Sequence, residues 1–193
     1  MSPSLLLLPY SAVLVPGAGL TLRLVDPGHL DLMRECSRRD AGFGMCLLDA
    51  SSPETAATLA THGTQACIED FSTGDDGVPT LRVRGGRRFQ VRHRQPGDNG
   101  VITAQVDWRD PDPDDPLRPE HAVLGLVLAR ILEQAGVDAT PAQLDMAAWI
   151  GWRLAEWLPL SEPQRQELLQ EDDPHARLDH LLVLLSSPSS DGT

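Results

Sequence analysis

The stretch DPDPDDPLRP, residues 110–119, places four prolines and four aspartates in ten residues. Neither a helix interior nor a central strand tolerates such a run, because proline lacks the N–H that both hydrogen-bond ladders need and its ring fixes φ. The run therefore predicts an extended connection, and it cuts the 193-residue chain into two parts with different periodicities. Ahead of it apolar residues alternate with polar ones; beyond it they recur at helical spacing. The reading is a β-rich half over 1–110, an acidic Pro-rich linker over 111–119, a helical half over 120–186 and a disordered tail over 187–193.

In the first half, LLLLPYSAVLV reads as an apolar strand and its continuation. No basic residue precedes it, Arg23 being the first, and Pro9 interrupts it, so it reads as a buried strand rather than a secretory signal. GLTLRLV alternates, with Leu20, Leu22 and Leu24 on one face. Asp26-Pro27 then suits the N-cap and first position of a helix whose buried stripe would be Leu30, Met33 and Cys36. FGMCLLD, QACIEDF and VITAQVDW read as strands, residues 50–62 as a loop, and TLRVRG with RRFQVRH as a hairpin turning at Gly85-Gly86. In the second half, Leu124, Val127, Leu128 and Ile131 mark one helix and Thr140-Pro141 the start of another. Ser161 and Gln164 form a capping box for a third, and Asp173-Pro174 opens a fourth with Leu178, Leu181, Leu182 and Leu185 on its stripe.

Several function classes fall away. Gly17-Ala18-Gly19 leads into a strand, not into a helix N-terminus, so it is a turn and not a phosphate cradle. All 16 basic residues are arginine; with no lysine there is neither a Walker A loop nor a Ser-Lys dyad. Cys36, Cys46 and Cys67 form no CxxC pair and read as reduced, buried thiols of a cytoplasmic protein. No cofactor or metal is expected: His175 and His180 read as helix-surface residues and the aspartates of 110–115 as a solvated run. No apolar run reaches 18 residues, so no membrane-spanning helix is expected. The formal net charge of −12 opposes nucleic acid over most of the surface. It arises from 12 Arg against 16 Asp and Glu in residues 1–118 and 4 against 12 in residues 119–193.

The order of short motifs resembles the N-terminal, substrate-binding domain family of Lon proteases. Leu8-Pro9-Tyr10, Val15-Pro16-Gly17 and Leu22-Arg23-Leu24-Val25-Asp26-Pro27 match its opening strand, turn and helix entry. Phe43-Gly44, His62-Gly63-Thr64-Gln65-Ala66 and Gly85-Gly86-Arg87-Arg88-Phe89-Gln90-Val91 follow in the family's order, as do Gln166-Glu167-Leu168-Leu169 and Arg177-Leu178. The resemblance implies an α+β fold: a PUA-like six-stranded pseudo-barrel with an inserted helix, followed by a C-terminal helical bundle. It also implies a stand-alone, non-enzymatic module that binds polypeptide substrates or a partner protein, as an adaptor or regulator in protein quality control.

Two sets of residues are candidates for that binding. RVRGGRRFQVRHR, residues 82–94, alternates Leu81, Val83, Phe89 and Val91 with arginines, and Arg84, Arg87, Arg88 and Arg92 would present guanidinium groups to an acidic polypeptide. Trp149, Trp152 and Trp157 crowd one helix; Trp149 and Trp152 are the candidate anchors there. The alternative is a PUA-like RNA reader using the same arginines. A hydrolase built on His29 or His62 is a third possibility, although no nucleophile elbow accompanies them. Nothing in the chain sets an oligomeric state.

Overall fold

The structure, a computed structural model, describes residues 4–39, 42–49, 58–74, 76–97 and 101–186. The expected tail at 187–193 and the first part of the expected loop, 50–57, lie outside those residues. Residues 1–110 and 111–193 form two compact units.

The first unit holds six strands and one helix: β1 (Ser4–Tyr10), β2 (Gly19–Arg23), α1 (Pro27–Arg39), β3 (Phe43–Asp49), β4 (Thr58–Thr73), β5 (Pro79–Pro96) and β6 (Ile102–Trp108). The strand order is β2-β5-β4-β3-β1-β6, with β5 also pairing with β6. Among the described residues only β1 and β3 run parallel, Leu6 opposite Phe43, as the crossover through β2 and α1 requires.

The expected six-stranded pseudo-barrel is therefore corrected to a six-stranded mixed sheet. β2 is five residues long, pairs with β5 through Gly19–Arg23 and has no second neighbouring strand among the described residues, so the six strands do not close into one ring. The hairpin at Gly85-Gly86 is corrected too, since one continuous 18-residue strand runs through both glycines. Neither has a positive φ; among the described residues the glycines in the left-handed region are Gly17, Gly77 and Gly136. What Gly85 supplies is room. Gly17 donates to its carbonyl at 2.8 Å, it donates to Ala18 at 2.9 Å, and a Cβ there would lie 2.1 Å from the Val15 oxygen. The apolar continuation expected after Tyr10 is this turn, not strand.

The same device builds the core. Phe89 is fully buried among Leu5, Leu7, Cys46, Leu59, Ala104 and Val106, and meets Trp108 edge-on at 5.9 Å. Its ring lies over Gly44 and Gly63, where a Cβ would stand 2.5 and 2.6 Å from its Cζ. Burial pushes the Cys46 thiol up to about 12, with the Arg94 charge acting the other way. Cys36 is buried as expected; Cys67 is exposed.

α1 begins as its sequence indicates, Asp26 accepting from the Gly28 N–H at 2.7 Å. Its buried residues are Leu32 and Cys36; Leu30 and Met33, expected in the same stripe, are half-exposed.

The second unit packs α2 (Ala122–Ala135), α3 (Ala147–Trp157), α4 (Glu162–Gln170) and α5 (Pro174–Ser186). α2 ends at Gly136 with φ of 68°, and α4 opens on the reciprocal Ser161–Gln164 capping box. The helix expected from Thr140 starts instead at Ala147, after a single 3-10 turn at Gln143–Asp145. Arg165 reaches back to the Ala155 and Leu158 carbonyls at 2.9 and 3.0 Å, closing the end of α3. Asp173 caps α5; its carboxyl is held below the usual range chiefly by the His175 N–H, 2.8 Å away.

Not all of the aspartate run stays in solvent. Leu117 donates to Asp145, Ala147 donates to Asp115, and Pro116 bridges to Met146. Asp112 is half-buried with its side chain only 8% exposed, and it receives Arg177 Nη1 at 2.8 Å and Trp152 Nε1 at 2.7 Å. Arg177 is fully buried, stacks 3.5 Å from the Trp152 ring centroid and also donates to the Glu171 carbonyl. Gly151 leaves space for its stem, a Cβ there standing 3.3 Å from Arg177 Cδ. His175 is likewise buried rather than on the surface; its Nδ1 stands 3.5 Å from that of buried His121, whose Nε2 meets Asp179 at 2.7 Å.

Three substitutions test this account. Gly85→Ala should lower the stability of the β unit by about 1–3 kcal/mol, read as faster hydrogen exchange at β5 amides, because the obstructing atom is backbone. Asp112→Ala should cost the helical unit about 3–5 kcal/mol in thermal unfolding by taking its carboxylate away from a buried guanidinium. Arg177→Lys should also destabilise that unit, since an ammonium cannot both fork and stack.

Candidate functional site

β5 carries the arginines that sequence reasoning singled out, and β4 and β6 answer them with carboxylates. Glu69 receives Arg84 Nε at 2.5 Å and Arg82 Nε at 3.3 Å; Asp107 receives Arg92 Nε at 2.6 Å. Arg84 also donates to the Gly17 carbonyl at 3.0 Å, which ties β5 to the turn before β2. Arg88 is buried. Arg87 is exposed, its guanidinium 5.2 Å from the Trp108 ring centroid. Of the two tryptophans, Trp152 is committed to Asp112 and Arg177, and Trp149 is half-buried. The four arginines thus belong to the first unit and the two tryptophans to the second. His62 accepts or shares a hydrogen bond with an Arg109 guanidinium nitrogen at 3.0 Å, and Asp31 pairs with Arg34 at 2.7 Å. Among the described residues, no group of three or more His, Cys, Asp or Glu is placed to hold a metal ion.

A different surface combines shape with exposed apolar area. α1 and the far ends of β4 and β5 bound a groove of about 890 Å³. Leu30 and Met33 line it from the helix; Ile68, Phe71 and Leu81 line it from the sheet. Ile68 and Phe71 are 47% and 58% exposed, where a core strand would have them covered. The rim charges on α1 are internally matched, Arg34 with Asp31 and Arg38 with Glu35.

Sequence reasoning missed Ile68 and Phe71 although the signal was present. Three residues apart, they cannot share a face of a regular strand. The register shifts between Ile68 and Asp70, so that Ile68 pairs with Val83 and Phe71 with Leu81, which are two apart on β5. Glu69 is the extra residue of a bulge, and the bulge brings both side chains to the groove. The spacing of I-E-D-F, read against strict alternation, would have shown it.

The family model described as the ATP-dependent protease La (LON) substrate-binding domain matches residues 4–187. The chain belongs to the Lon substrate-binding domain family. A Lon N-terminal domain protein from Xanthomonas campestris superposes with a TM-score of 0.80 at 49% identity, covering 94% of this chain and 98% of that one. The N-terminal domain of Mycobacterium avium complex Lon protease shares the fold at 17% identity, with a TM-score of 0.73 over 96% and 99% of the two chains. A Lon protease of Phenylobacterium zucineum is 24% identical over 194 residues; the match takes in 95% of this chain and about a quarter, 24%, of that protein's length. The matched Lon region is the non-catalytic substrate-binding domain and not the protease core, consistent with a protein-binding role. Among the described residues no helix is long and apolar enough to cross a membrane.

The carboxylate between the arginines gives this surface a pH signature. The hydrogen bond from Arg84 holds Glu69 below its ordinary value of 4.5; partial desolvation opposes the shift, and the Arg84 charge and Arg82 add to it. A depressed carboxyl stabilises the fold fully above its ordinary value and loses that contribution as pH falls through the lower, folded value. Glu69→Gln should lower stability above pH 4.5 and flatten the acid limb below it, so that variant and parent converge as pH falls, as followed by denaturant titration at stepped pH.

Proposed function

We propose that the groove between α1 and the β4–β5 end is where this Lon-type domain takes hold of polypeptide, and that it acts as an adaptor or regulator in protein quality control. The observation that carries the reading is the open exposure of Ile68 and Phe71 in a concave surface of a substrate-binding domain family member. A monomeric fold gains nothing from leaving a phenylalanine more than half bare, whereas apolar side chains at the centre of a groove supply most of a contact's free energy. The matched charges on the α1 rim leave apolar surface as the main contact offered from that side of the groove.

The arginines of β5 support an acidic partner less strongly, because Glu69 and Asp107 already neutralise Arg84 and Arg92. Arg87, on its tryptophan, remains the one of the four that is exposed and has no carboxylate partner among the described residues; it and half-buried Trp149 are retained as secondary contacts. Carboxylates interleaved with guanidinium groups also oppose a phosphate backbone, which argues against RNA. We place the domain in the cytoplasm, where the exposed thiol of Cys67 would stay reduced.

Reduced, carbamidomethylated ribonuclease A, an unfolded polypeptide, is a suitable ligand. The domain should bind it in a fluorescence anisotropy titration, and Phe71→Asp should weaken binding by about tenfold or more. An unchanged affinity in that variant, with its thermal unfolding also unchanged, would remove the groove from consideration.

A further inference from the structure

β4 is 16 residues long, but its two edges are not equally used. On one side β5 pairs with it from His62 to Thr73. On the other, the β3 ladder ends where Phe43 faces Ala66. Among the described residues no strand pairs with that edge of Cys67–Thr73, and all seven of these residues are exposed. An unpaired edge is a template for another strand. Here it coincides with the groove, because Ile68 and Phe71 belong to the same seven residues.

The charges on this edge say what it would accept. Asp70 lies at its midpoint, exposed and without an ion-pair partner among the described residues, while neighbouring Glu69 is held by Arg82 and Arg84. Asp70 stands opposite Arg82 on β5, on the face away from Ile68 and Phe71. A second copy pairing antiparallel about the midpoint would set Asp70 against Asp70, and like charges directly opposite are destabilising. An acidic segment meets the same obstacle. A segment with a cation at that position does not.

We propose that the groove receives its polypeptide as a strand added to the β4 edge at Cys67–Thr73. The preferred segment carries Lys or Arg opposite Asp70 and apolar side chains at the alternating positions that meet Ile68 and Phe71. The inference rests on the groove being the polypeptide site and names the ligand class for it. Backbone hydrogen bonds to the edge supply sequence-tolerant affinity, the apolar pockets set the alternation, and Asp70 sets the sign.

Three fluorescein-labelled nonapeptides alternating Val and Thr test it by anisotropy: one with a central Lys, one with a central Glu, and the Lys peptide N-methylated at every second amide. The expected order is Lys tightest, Glu about tenfold weaker, and the methylated peptide without measurable binding. Asp70→Lys, an exposed position that leaves the core untouched, should invert the Lys–Glu preference. Amide hydrogens of residues 67–73 should gain exchange protection with the Lys peptide bound. Equal binding of the Lys and Glu peptides, or full binding of the methylated one, overturns the proposal. If ribonuclease A binds in a Phe71-dependent way while methylation is harmless, strand addition alone falls. If neither ribonuclease A nor any peptide binds, the groove assignment falls with it.

Discussion

Backbone and ring approach each other in the β unit more closely than any Cβ would allow, and most of what the unit presents to solvent follows from that. Phe89 sits over Gly44 and Gly63, so β3, β4 and β5 can bring a full aromatic ring into the space of two absent side chains. Gly85 lets the turn at Val15–Ala18 dock directly on β5. With those contacts made, β5 runs unbroken for 18 residues and can serve β2 and β4 with its first half and β6 with its second. β4 is thereby fixed along one edge over its last seven residues while its other edge outruns β3. The open edge is thus a consequence of unequal strand lengths imposed by the core.

The helical unit depends on a different contact, and it explains one peculiarity of composition. A buried cation here must pair with Asp112, stack on Trp152 and reach the Glu171 carbonyl at once. A planar guanidinium with several fixed donors can do this; an ammonium cannot. The same geometry recurs where Arg165 caps two carbonyls at the end of α3 and where Arg84 joins Glu69 to Gly17. In a chain whose 16 cations are all arginine, these forks hold segments together, and the charge left over for recognition is correspondingly small.

What could be read from the sequence was whatever depends on local chemistry. The alternation of Leu20, Leu22 and Leu24, the Asp26-Pro27 entry, the Ser161–Gln164 box and the Asp173-Pro174 start all correspond to observed elements, because each is decided within a few residues. The failures involve partners distant in sequence. Gly85-Gly86 looked like a turn because glycine's tolerance of positive φ and its lack of a Cβ are indistinguishable in one dimension; only Val15 reveals which is used. Asp112 looked solvated because its partner Arg177 lies 65 residues away. Leu30 and Met33 looked buried because helical spacing marks an apolar face without saying whether anything covers it. Closure of the six strands into a barrel was inferred from resemblance, and strand count alone carries no information on whether β2 finds a second neighbour.

The groove and its edge must be reconciled with solubility, since exposed Phe71 beside unpaired backbone is also the recipe for aggregation. Folded proteins guard such edges with charge and with bulges, and both guards are present: Asp70 at the midpoint and the extra residue Glu69 beside it. Each guard has a second effect. The bulge that shifts the register of the edge is what swings Phe71 round to join Ile68, so removing it to smooth the edge would dismantle the groove. The carboxylate that repels a second copy is attractive to a cation in the same place. Protection against self-association and selection of a ligand are then not competing demands on this strand; Asp70 and the bulge at Glu69 meet both, and the sign of the Asp70 charge decides which strands are refused.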